Sequence, residues 1–93
     1  MKKYEIMYIV KAGLDEEARK ALIEKVNSTI TKKGGKLVEV NEMGLRDLAY
    51  PINDEIKGYY VVLNVEAEVE TINEFDRLTK LNNNVLRHLI LVA

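Results

Sequence analysis

Residues 3–10 alternate in character, with Tyr4, Ile6, Tyr8 and Val10 on one side and Lys3, Glu5, Met7 and Ile9 on the other. This predicts a strand with one wholly apolar face and one mixed face. From Asp15 the period lengthens. Asp15 is a good N-cap, Glu16 and Glu17 suit the first turn of a helix, and Ala18, Leu22, Val26 and Ile30 recur every four residues. The spacing predicts a helix with one apolar stripe, on which Lys20, Glu24 and Asn27 face water. Lys32-Lys33-Gly34-Gly35 ends it.

A long strand is predicted over 36–52, its alternation broken at Leu37-Val38 and at Gly44, which points to bulges or an edge position. Asn53-Asp54-Glu55 turns the chain into a strand over 58–67, where Tyr59, Val61, Leu63 and Val65 face one way and Tyr60, Val62, Asn64 and Glu66 the other. Ile72, Phe75, Leu78 and Leu81 mark a second helix, closed by Asn82-Asn83-Asn84 in the left-handed conformation Asn tolerates. Residues 85–92 form the last strand.

The order βαββαβ, with right-handed crossovers, defines an α+β ferredoxin-like two-layer sandwich, a four-stranded antiparallel sheet with both helices on one face. It spans 1–93 as one domain. The first and third strands are central, and the strand holding Pro51 lies on an edge, where a missing N–H is harmless. The expected core is Ile6, Tyr8, Leu22, Val26, Ile30, Val61, Leu63, Val65, Phe75 and Leu78. Met7, Ile9, Tyr60, Val62, Leu89 and Leu91 gather on the helix-free face, and an apolar patch of that kind predicts a surface for a protein partner.

Chemistry narrows the choice further. The chain has no cysteine and one histidine, His88, so neither a thiolate nor a multi-histidine metal site can be built. No phosphate-cradling glycine loop or nucleophile motif is present, the pair Glu16-Glu17 is explained by the helix dipole, and no cofactor is expected. Neither a signal peptide nor a membrane span is discernible, which with the lack of cysteine predicts a cytoplasmic protein. Fourteen basic residues stand against 15 acidic ones, a net charge of −1. That balance opposes unaided nucleic-acid binding unless the cations cluster or a basic partner supplies the field. The cations at strand ends or on the sheet, Lys2, Lys3, Arg46, Lys57 and Arg87, lie close in sequence to tyrosines, an arrangement suited to phosphate contact beside base stacking.

The segment Gly44-Leu45-Arg46-Asp47-Leu48-Ala49-Tyr50-Pro51-Ile52-Asn53 resembles the signature of the bacterial small-subunit ribosomal protein six family. Tyr4-Glu5-Ile6, Gly58-Tyr59-Tyr60, Asn64-Val65-Glu66 and Asn84-Val85-Leu86-Arg87 extend the resemblance in the same order over nearly the whole chain. Met43 stands where many members carry an aromatic residue, and Leu45 and Asp47 flank Arg46 where many have a second cation. The resemblance implies a non-enzymatic constituent of the small ribosomal subunit that binds 16S ribosomal RNA together with ribosomal protein eighteen. Lys2, Lys3, Arg46, Tyr50, Lys57 and Arg87 are then the candidate RNA-binding residues, and the open apolar face the partner site. A homodimeric ligand-sensing or interaction module of the same fold is the alternative. An acylphosphatase-like hydrolase is disfavoured, because Lys11-Ala12-Gly13-Leu14 offers no anion-binding arginine.

Overall fold

The computed structural model describes residues 1–52 and 55–93, without the side chains of Ile52 and Glu55. Its elements run β1 (Lys2–Lys11), α1 (Glu16–Lys32), β2 (Lys36–Ile52), β3 (Glu55–Ala67), α2 (Val69–Leu81) and β4 (Val85–Val92). The sheet order is β2-β3-β1-β4, with β1 antiparallel to both β3 and β4, and β2 antiparallel to β3. Strand β3 starts three residues before the predicted boundary; of the expected turn, Asn53 and Asp54 lie outside the described residues.

The core lies between the sheet and both helices. Tyr4, Ile6, Tyr8 and Val10 of β1 and Val61, Leu63 and Val65 of β3 pack against Leu22, Ile23, Val26 and Ile30 of α1 and Ile72 and Phe75 of α2. Burying a large apolar side chain contributes about 1.5–3 kcal/mol, so this cluster carries most of the favourable free energy.

Three sequence expectations are corrected here. Ala18 is exposed, and Ile23 and Asn27 join the buried stripe of α1, because a 3.6-residue turn brings positions 22, 23, 26, 27 and 30 to one side while an exact four-residue repeat drifts off it. Asn27, expected in water, is buried and accepts a hydrogen bond at 2.9 Å from the Tyr8 hydroxyl. Leu78 is 39% exposed, since the buried line of α2 runs through Thr71, Ile72, Phe75 and Thr79 and leaves position 78 at its margin. At the end of α2 Asn82 is extended, at φ −89° and ψ 109°, and its side chain accepts from the Asn84 N–H at 3.0 Å. That bond closes an Asx turn just past the helix.

Strand β2 is irregular where the pattern broke. Its register against β3 shifts between Leu37 and Glu39 and between Glu42 and Gly44, and Gly44 has φ +88°, a conformation costly for residues with a Cβ. Beyond Asp47 the pairing lapses until Ile52 meets Glu55.

Candidate nucleic-acid interface and docking face

Directly opposed residues on neighbouring strands share a face of the sheet. Met7 lies opposite Val62 on one side and Leu89 on the other, Ile9 opposite Tyr60 and Arg87, and Glu5 opposite Asn64 and Leu91. The six residues expected on the helix-free face are therefore brought together. Leu89 and Leu91 are about half exposed, Met7, Tyr60 and Val62 are partly buried, and Ile9 is only 4% exposed. Ile9 departs from the expectation of an accessible docking residue because its Cγ2 fills the space a side chain at position 58 would occupy. A Cβ on Gly58 would stand 2.2 Å from that methyl and 3.5 Å from Leu48 Cδ2.

The stretch of β2 that leaves the ladder accounts for the cover. Leu48, Ala49 and Tyr50 line a shallow cavity of about 290 Å³ with Met7, Ile9, Tyr60, Arg87 and Leu89, so this segment lies over the open face. Tyr50 belongs to one edge strand and Arg87 to the other, yet Arg87 Nη1 donates to the Tyr50 hydroxyl at 2.7 Å. A four-stranded sheet is roughly 14 Å from first to last strand. The segment is a strap across one end of the face, leaving Val62 and Leu91 outside it.

The six residues singled out for RNA fall in separate places. Arg46 and Lys57 both line an exposed depression at the β2–β3 hairpin with Met43, Leu45 and Asp47, although Arg46, opposite Gly58, and Lys57, opposite Asp47, belong to alternate faces of the strands; Asp47 offsets part of the charge. Tyr50 and Arg87 close the strap. Lys2 and Lys3 lie at the other end of β1, opposite Ala67 and Glu66, roughly 25–30 Å from the hairpin row at the strand rise of about 3.3 Å per residue. All six are exposed.

Lys11 escaped the sequence reading. It lies opposite Gly58, which also faces Arg46, so a row across three strands carries two cations with a glycine between them. The alternation of β1, continued by one residue past Val10, would have found it. Arg19 was missed as well: its guanidinium stacks 4.3 Å from the Tyr59 ring centroid, while the Tyr59 hydroxyl donates to Glu42 Oε1 at 2.9 Å. The bond to that carboxylate holds the Tyr59 pKa above its ordinary value. On the helix side, His88 Nε2 lies 2.6 Å from Asp76 Oδ1, and Lys80 Nζ is 3.0 Å from Asp76 Oδ2. These two bonds, His88 first, draw the Asp76 pKa down.

The chain is thus a ferredoxin-like sandwich whose helix-free face is apolar and crossed at one end by the strap, with exposed cations at its hairpin and strand ends. The ribosomal protein S6 family model matches residues 3–91, and the chain belongs to that family, proteins of the small ribosomal subunit. It is accordingly cytoplasmic. The crystal structure of 30S ribosomal protein S6 from Thermotoga maritima superposes with a TM-score of 0.94 at 27% sequence identity, over 99% of this chain and 87% of that one.

Proposed function

We propose that the chain is a non-enzymatic structural constituent of the small subunit that binds 16S ribosomal RNA jointly with ribosomal protein eighteen. The observation that carries this reading is the helix-free face. Met7, Tyr60, Val62, Leu89 and Leu91 form an apolar surface on a chain whose net charge of −1 offers a strongly basic partner no repulsion. Apolar docking holds the pair, the partner supplies most of the positive field, and the exposed cations Arg46, Lys57 and Arg87, with Lys2 and Lys3 at the far end, take phosphates at the perimeter. Tyr50 offers an aromatic ring beside Arg87 for a base.

Val62→Asp tests it. Val62 lies at the centre of the uncovered part of the face, so the variant should fold normally by circular dichroism, while calorimetric titration with purified protein eighteen should show affinity reduced at least about 30-fold, near 2 kcal/mol for a charge forced out of water. Unchanged affinity would reject the face as the docking site. RNA fragments of the 16S central domain retained on filters only when both proteins are present complete the test, and retention without the chain would remove it from the RNA contact.

A further inference from the structure

The two edges of the sheet are built in opposite ways. Edge strand β2 is defended by register shifts, by Glu39, Glu42 and Asp47, and by Pro51. Edge strand β4, Val-Leu-Arg-His-Leu-Ile-Leu-Val, contains one formal charge and no proline. Its register with β1 runs unbroken from Val92 to Arg87. The Ala93 N–H donates to the Lys3 carbonyl at 3.0 Å, which makes that pair a hydrogen-bonded one and, by the alternation of an antiparallel ladder, turns the amides of Leu91, Leu89 and Arg87 toward β1 as well. His88, Ile90 and Val92 therefore aim their N–H and C=O groups at the free edge, where no other described strand pairs with them.

We propose that β4 pairs with β4 of a second copy of this chain, antiparallel about a two-fold axis at Ile90, joining two sheets into one. The sequence around Ile90 is close to self-complementary. This register sets Leu89 opposite Leu91 of the second copy on the open face, His88 opposite Val92, and Arg87 opposite Ala93, with no like charges opposed. Leu91 is 50% and Val92 72% exposed, so the strand has apolar surface still to bury. Arg87 is drawn back over its own sheet by Tyr50 and stays clear of the incoming strand. A two-fold axis at His88 would instead stack the imidazoles of the two copies against each other.

This pairing stands on the edge geometry and is independent of the RNA reading, although it would cover Leu89 and Leu91, so that self-pairing and docking of another protein on those residues exclude each other. Sedimentation velocity of the full chain should show the average mass climbing toward twice the monomer value with concentration. Hydrogen exchange of the His88, Ile90 and Val92 amides should slow in parallel, whereas those of Leu89 and Leu91 are protected at every concentration. Val92→Lys, at an exposed site, should raise the dissociation constant at least about tenfold by placing a charge on the edge. Because the chain has no cysteine, register can be read directly: a Leu89→Cys chain mixed with a Leu91→Cys chain under mild oxidation should give the mixed disulfide well above its statistical share. A chain that stays monomeric to about 1 mM, a dimer indifferent to Val92→Lys, or mixed disulfide at the statistical share would each overturn the proposal. So would a monomer whose β4 amides become protected only when protein eighteen is added, which would assign the edge to a strand of that partner.

Discussion

Among the described residues, Tyr8 and Asn27 form the one hydrogen-bonded side-chain pair buried in the core, and each needs the other. The hydroxyl donates to the amide oxygen at 2.9 Å between β1 and α1. Burial pushes the Tyr8 pKa far above its ordinary value, with Glu42 adding to the shift. Tyr8→Phe leaves the Asn27 oxygen without its donor, and urea unfolding should show a loss of about 1–3 kcal/mol, most of it restored when Asn27→Leu is added. The sign of the pH effect follows from the raised pKa. Folded and unfolded chains both hold the Tyr8 proton below pH 10 or so, whereas above it the unfolded chain releases the proton first, and stability should fall by about 1.4 kcal/mol per pH unit. In Tyr8→Phe that alkaline slope should flatten, and an unchanged slope would assign it to other groups. Asn27 was misjudged from sequence because its hydroxyl partner is 19 residues away, and a polar residue in a periodic pattern reads as solvent-facing.

Among the elements, the strands were legible because period-two alternation survives in a sheet with one buried face, and the breaks at Leu37-Val38 and Gly44 marked real register shifts. The strap was not. Leu48 and Tyr50 leave the β2 ladder to rest on Ile9 and Arg87, and contacts between opposite edges of a sheet leave no trace in local spacing. Gly58 is the element's hidden requirement: it gives way to the Ile9 methyl, and a Cβ there would overlap it. Gly58→Ala should lower stability by about 1–3 kcal/mol, and combining it with Ile9→Ala should cost less than the sum of the two single changes, because the smaller side chain vacates the same space. Strict additivity in thermal unfolding would place the strain elsewhere. The second helix shows the reverse case. A three-residue repeat through Leu78 and Leu81 looked apolar in sequence, yet the turn of α2 carries both to its exposed margin.

For the whole molecule, the distribution of charge matters more than its sum. The exposed cations on the hairpin sit on the sheet, whereas Lys20 is spent on Glu16 one turn away along α1, 3.7 Å distant. In partner-assisted binding to 16S RNA, Arg46→Ala should therefore flatten the salt dependence by about one phosphate contact, and Lys20→Ala should leave it unchanged. Equal losses would mean a diffuse footprint without a privileged hairpin. The candidate site was only partly readable in advance, since the sequence identified cations near tyrosines but not that Lys2 and Lys3 end up far from Arg46. The sheet order carries a consequence of another kind. Strand β1 is central, but one of its two neighbours, β4, is the last of the sheet's strands to be made. At about 5–20 residues per second, several seconds separate the synthesis of the first strand from that of the last. During that interval one side of β1 has no mate, so the emerging polypeptide presents an adhesive strand to its surroundings until β4 arrives.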